Sequence, residues 1–198
     1  MVSLRIEKGL KDEEMKTIHE INIDNSSAVI DGKRIETSRS GSQMLTELYR
    51  IYVNDYPKFF KMDILCKLGF IASELLLQAE GAPRFTDRAD RAILFFNHSS
   101  SIQADKAFEE TIRDRSDFFP SPSVFVYTLP NIVTGEIAIR NHYYGETNFI
   151  ILNERDDERI RQVTEAAFTD STTTSAIAGW IEAPDNHHFT AALKLIIK

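Results

Sequence analysis

One thiol, five imidazoles and a run of three hydroxyls are the side chains in this sequence with nucleophilic or acid–base chemistry in reach. Cys66 is the only cysteine, which excludes an intrachain disulfide and a thiolate zinc cluster. It lies in the apolar string Leu65–Phe70 with no histidine near it in sequence, the setting of a buried structural thiol. His98 precedes Ser99, Ser100 and Ser101. A Ser–His hydrolase also needs an orienting carboxylate and an oxyanion hole, and no serine here sits in a Gly-x-Ser-x-Gly elbow. These hydroxyls read instead as caps for the backbone donors of a following helix. His187 and His188 are adjacent, so in an extended chain they point to opposite faces and make a poor metal pair. His142 closes a helix, where an imidazole complements the dipole. Asp87, Arg88, Asp90 and Arg91 read as a solvated turn of mixed charge. Gly135 and Gly145 belong to no phosphate-binding loop. The sequence therefore offers neither a metal site nor a cofactor site.

The elements that position these residues follow from periodicity. Ile18–Ile23 alternates as a strand and pairs with Ala28–Ile30 through the turn Asp24–Ser27. Ser42–Asn54 has helical spacing. Lys61–Ala79 is the strongest helix: Leu65, Leu68, Ala72, Leu75 and Ala79 share one face, and Asp63, Lys67, Glu74 and Gln78 share another. Most remaining positions are apolar, so the helix is buried on most sides until Gly81 and Pro83 end it. Ala92–Phe96 is a continuous apolar run, suited to a central strand of a parallel sheet. Ser100 and Gln103 have capping-box spacing, ahead of a helix with Ala104, Ala107, Phe108 and Ile112 on its inner face. Val124–Leu129 reads as extended, and Asn131 caps a helix over Ile132–His142, in which Gly135 implies close backbone packing. Asn148–Leu152 has the pattern of a buried strand, Asp156–Phe168 is a helix, and Ser175–Glu182 and Phe189–Ile197 are strands joined by a turn at Pro184–Asn186. The alternation predicts an α/β layered architecture with a mixed, mostly parallel sheet.

The chain has 198 residues, 42% hydrophobic and 27% charged, ordinary values for one globular domain spanning 1–198. Lysine plus arginine is 23 and aspartate plus glutamate 30, a net charge of −7, which disfavours nucleic acid and docking of an acidic carrier through bulk charge. No apolar run reaches the eighteen residues of a membrane span. The N-terminal string MVSLRIEKGLKDEEMK lacks the apolar core of a signal peptide, and a cytoplasmic location is expected.

Five stretches, in order, resemble the β-ketoacyl synthases (3-oxoacyl-carrier-protein synthases) of the thiolase-like fold. FFKMDILCKLGFIASELLL at 59–77 is similar to that family's Met-Asp-bearing helix. AILFFNHSSSIQAD at 92–105 is similar to the strand and loop that open the synthase core. SPSVFVYTLPNIVTGEIAI at 121–139 is similar to a Pro-x-x-Phe segment leading through a Pro-Asn break into a helix. GETNFIIL at 145–152 resembles the strand that leads to the nucleophile, and AIAGWIEAP at 176–184 resembles a later strand. The resemblance is strongest over 59–184 and implies the N-terminal lobe of that fold.

It also implies a difference. An active condensing enzyme carries a cysteine at the start of the helix after the 148–152 strand, where the helix N-terminus favours the thiolate. Here the string is Asn153-Glu154-Arg155-Asp156-Asp157, and the nucleophile's place falls near Arg155. The family's decarboxylating histidines belong to a second half beyond the matched stretch. The resemblance thus implies no catalytic residue, and a partner subunit in fatty-acid or polyketide-type biosynthesis. Alternatives are a condensing enzyme completed by a partner, and an acyl-ligand binding or scaffolding module. Because a lone lobe leaves uncovered the face its companion would cover, an exposed apolar face is expected. With it come a homodimer or a heterodimer with a full-length ketoacyl synthase; acyl carrier protein is a further candidate partner.

Overall fold

A computed structural model describes residues 15–116 and 118–198. The string read as lacking signal character lies almost wholly outside the described residues. The chain runs β1 (Lys16–Asp24), β2 (Ala28–Ile30), β3 (Lys33–Ile35), α1 (Gly41–Tyr52), α2 (Ile64–Glu80), β4 (Arg91–Asn97), α3 (Ile102–Glu110), α4 (Pro122–Phe125), α5 (Ile132–Asn141), β5 (Thr147–Ile151), α6 (Asp157–Ala167), β6 (Ser175–Glu182) and β7 (Thr190–Ile197). Short 3₁₀ turns occupy Pro57–Lys61 and Val126–Thr128.

The seven strands form one sheet in the order β3-β2-β1-β7-β6-β4-β5. β4 lies parallel to β5 and to β6, and the other four pairings are antiparallel. The layered α/β class holds. The parallel character is confined to the three strands linked through helices, because hairpin-linked neighbours such as β6 and β7 must run antiparallel.

β4 is buried along its whole length, as its unbroken apolar run requires of a strand covered on both faces. Ile93 and Phe95 face the larger core with α2, while Ala92, Leu94 and Phe96 face a smaller core under α6. α2 packs against β1, β7 and β6 and against α1 and α5. Asp63 caps it, accepting from the Cys66 amide at 2.9 Å, and Gly81 ends it in the left-handed conformation at φ 66°. α6 covers part of the opposite face, against β6 and β4.

Several expectations change. Glu74, placed with the polar positions of α2, is 1% exposed and holds Arg84 at 2.6 Å and Arg140 at 3.0 Å, tying α2 to α5. Val124–Leu129 is not extended, because Pro122 at the first turn of α4 preorganises a helical start. Asn148–Leu152 is not a buried strand; β5 is the sheet's edge, and its residues are exposed or half-buried. Nothing lies within 4 Å of a side chain built at Gly135, so no close backbone approach explains that glycine. Arg91 is not solvated: its side chain is 1% exposed and paired with Glu80. The capping box does not form. Ser100 takes a left-handed φ of 53°, and the hydroxyl of Ser101, the residue preceding α3, donates to the Thr128 carbonyl.

Candidate functional site

In an α/β sheet the ligand-binding end is the carboxyl end of the parallel strands. Here that end is made by Asn97 and the loop 98–101 after β4, by Leu152–Asp156 after β5, and by Glu182 closing β6. The loop after β4 is held on three sides. The Asn97 side-chain amide donates to the Ser100 carbonyl at 2.8 Å, and the Leu152 amide donates to the Asn97 carbonyl at 2.7 Å. The His98 amide donates to a Glu182 carboxylate oxygen at 2.7 Å, and the Ser99 hydroxyl donates to the other. His98 Nδ1 faces the Leu152 carbonyl at 3.1 Å.

That arrangement settles what His98 and its serines do. Nδ1 is engaged with a backbone carbonyl, so no carboxylate orients the ring, and the Ser99 hydroxyl pairs with Glu182 rather than with His98. The amide of His98, which could have stabilised an oxyanion, is spent on the same carboxylate. Glu182 binds the end of β6 to the loop after β4, a tie sequence reasoning missed because its two halves are 83 residues apart.

The β5–α6 connection carries the residue singled out at the nucleophile's place. Arg155 donates from Nε to Asp157 at 2.8 Å, and Asp156 caps α6 by accepting from the Arg159 amide at 2.9 Å. Along α6, Arg161 bonds Glu158 and Glu165, and the Arg161 hydrogen bonds hold the Glu158 carboxyl down to about 2. The helix start is solvated, with Arg155 paired to Asp157 and Arg161 to Glu158. Between α6 and β1, β7 and β6 runs a groove of about 660 Å³. Its inner floor, Ala178 and Trp180, is buried, but the exposed positions on β1 and β7 are Thr17, Glu20, Asn22 and Lys194. Half-buried Met15, Ile160 and Ala192 supply apolar surface between these polar positions.

Cys66 is elsewhere. It is the third residue of α2 and is 2% exposed. A helix N-terminus lowers a thiol's pKa, but burial pushes this one well above its ordinary value, and the nearby Asp63 and Glu136 carboxylates push the same way. Desolvation wins, and the thiol stays protonated. Around it lies a second group the sequence did not single out: the carboxylate of Glu136, 4% exposed, accepts from Tyr56 Oη at 2.9 Å and pairs with Lys58. His142, in the left-handed position after α5, meets Asp87 at 3.2 Å. His187 and His188 lie in the β6–β7 turn, where both amides donate to Asp185. Among the described residues no cluster of three or more His, Cys, Asp or Glu side chains could hold a metal ion, and no helix is long and apolar enough to cross a membrane.

Solved structures share this arrangement of elements. The ishigamide ketosynthase/chain length factor matches at TM-score 0.56 and 17% identity, over 70% of this chain and 44% of that one. A β-ketoacyl synthase from Burkholderia phymatum matches at 0.55 and 13%, over 74% of this chain and 45% of its own. The fold is that of the ketosynthases. A ketosynthase, ApeO, in complex with its chain length factor, ApeC, from Xenorhabdus doucetiae, matches at 0.51 and 11%, over 90% of this chain and 78% of that one. The chain spans less than half the length of the first two ketosynthase-fold structures. No family model and no curated protein matches the sequence.

Proposed function

We propose that this protein is a non-catalytic ketosynthase-like subunit that pairs with a cysteine-bearing ketosynthase in a fatty-acid or polyketide-type assembly system. The observation that carries the reading is chemical. At the helix start after β5 there is an ion-paired Arg155 in place of a thiol, and the one thiol of the chain is buried and protonated. Two of the solved structures described above are themselves ketosynthase and chain length factor pairs, which supports a paired role here.

The surface favours the β5 edge for that pairing. Among the described residues β5 is bonded on one side only, to β4. Soluble proteins blunt such edges with charge, proline or bulges, and Thr147-Asn148-Phe149-Ile150-Ile151 carries none of these. Ile151 is 46% exposed, and Ile139 and Tyr144 are exposed on the segments leading to it. A further set, Phe118, Phe119, Phe125 and Leu129, is exposed around α4.

Co-expression with a cysteine-bearing ketosynthase tests the reading. A complex that co-purifies, and is lost with Ile151→Lys while the variant alone keeps its melting temperature, is the expected result. A wild-type chain that binds no ketosynthase, or that forms a stable adduct with an acyl thioester by intact mass, overturns it.

A further inference from the structure

The segment 122–130, which runs through α4, the Val126–Thr128 turn and Pro130, packs over the start of α2. We propose that this segment is a pH-controlled flap: ionisation of Asp63 releases it from α2 and uncovers the Cys66 thiol. The inference is independent of pairing through β5.

The seat of Asp63 is the first observation. One carboxylate oxygen accepts from the Cys66 amide at 2.9 Å, and the other is sealed from solvent with no hydrogen-bond partner. Between Asp63 and Cys66 on one side and Tyr127, Leu129 and Pro130 on the other, the remaining crevice is too narrow for a water molecule. A neutral carboxyl tolerates such a seat, whereas an ionised oxygen there lacks the donors it needs. The second observation is how thinly the flap is held. Among the described residues the only buried side chain from 122 to 130 is Tyr127. One hydrogen bond, from the Ser101 hydroxyl to the Thr128 carbonyl, ties the segment to anything beyond its neighbouring turns. A stretch with so few buried contacts opens locally at low cost. Beneath it lies the 2% exposed Cys66, which reagents reach only when the flap lifts.

The surrounding charges set the direction. Lys67, one turn along α2, and the Cys66 and Leu65 amides favour the carboxylate, but desolvation outweighs them and holds the carboxyl up at about 6. Glu136 on α5, paired with Lys58, and the protonated Cys66 thiol lie beyond the crevice and offer Asp63 no cation. Tyr127 faces it from the flap, and Lys61, Lys106 and Glu110 line the outer cleft. Once the flap lifts, water solvates Asp63 and its carboxyl returns to the ordinary value near 4. The closed state therefore holds the proton more tightly than the open one. Closure is fully favoured below about pH 4 and weakens as pH rises to about 6, by up to about hundredfold, beyond which the effect is constant.

The lone thiol is its own reporter. Dithiodipyridine is added to the full chain from pH 4 to pH 8; the Cys66 thiolate attacks one sulfur, and the thiopyridone released is read by absorbance. Asp63→Ser keeps a capping oxygen for α2 but cannot ionise, so the ratio of wild-type to variant rates cancels the thiol's own pH dependence. That ratio is expected to rise by up to about hundredfold between pH 4 and pH 6 and then to level. Low urea leaves the rates unchanged, because a local opening exposes little surface. A ratio that stays flat with pH, or labelling that accelerates in urea as global unfolding does, would overturn the proposal.

Discussion

Arg91 and Glu80 meet as two parallel forks, Nη1 to Oε2 at 2.8 Å and Nη2 to Oε1 at 2.5 Å, joining the start of β4 to the last residue of α2. The guanidinium is 1% exposed, and also reaches the Ser175 hydroxyl at 2.9 Å and the Tyr143 ring. Burial pushes the Glu80 carboxyl up, but the Arg91 hydrogen bonds and charge override it and hold it below its usual range. Removing one member of a buried pair strands the other charge. Glu80→Ala is expected to lower unfolding free energy by about 3 kcal/mol, read from urea denaturation at pH 7. The folded pKa is depressed, so the pair's contribution is present above the unfolded value of a glutamate and is lost as pH falls through the lower folded one. The gap between wild type and Glu80→Ala therefore narrows in acid.

Two glycines are fixed by backbone contact. A side chain at Gly179 would sit 2.1 Å from the Ala192 carbonyl oxygen across the β6–β7 pairing, at a φ of 149° that other residues rarely adopt. At Gly145 it would sit 2.3 Å from the Arg91 carbonyl oxygen. Backbone cannot yield as a flexible side chain can. Gly179→Ala and Gly145→Ala are each expected to destabilise by about 2 kcal/mol or more, while Gly135→Ala, with open space around it, stabilises its helix by up to about 1 kcal/mol. Thermal unfolding of the three variants side by side checks the ordering.

The features that sequence carried well were local ones. The continuous apolar run of β4, the Gly81 stop of α2 and the acidic start of α6 depend on neighbours in the chain, and the structure repeats them. What it did not carry were relationships across the chain. Glu74 falls among polar positions on a helical wheel, and only the arrival of Arg84 and Arg140 makes its burial tolerable. Arg91 looks solvated beside Arg88 and Asp90 until Glu80 is brought to it. β5 has the composition of a core strand, because its apolar residues sit on an edge whose neighbour the sheet does not supply. At the candidate site, the charged start of α6 from Arg155 to Glu158 was legible. The Glu182 tie was not, because its hydrogen bonds join residues 83 apart in the chain.

Asp63 gives a pH-dependent signature. Desolvation raises its carboxyl to about 6, against the opposing pull of the Cys66 and Leu65 amides. A raised folded pKa means the native state holds the proton more tightly than the unfolded chain. That contribution to stability is complete below the unfolded value near 4 and is lost as pH rises through about 6. Asp63→Ser keeps a capping oxygen without a titrating group. The stability of the wild type relative to this variant is expected to fall by about 2 kcal/mol between pH 4 and pH 7. A flat difference would show that Asp63 does not titrate there, and carboxyl carbon NMR should place its midpoint near 6 directly.

The sharpest test of the proposed non-catalytic role is to place a thiol at position 155. A thiol is acylated when a helix N-terminus or a cation draws it toward the thiolate and amide donors receive the oxyanion. At position 155 the helix start would favour the thiolate, but Asp156, Asp157 and Glu158 follow directly, and three carboxylates oppose a fourth negative charge. The nearby donors are spoken for: the Arg159 amide bonds Asp156, and the Leu152 amide bonds the Asn97 carbonyl. The adjoining groove is open and polar at its rim, so water competes for any thioester. Arg155→Cys is therefore expected to gain no acyl adduct beyond the wild type when incubated with an acyl thioester and weighed intact. An adduct confined to the variant would mean that the seat is competent and that one side chain alone separates this fold from covalent catalysis.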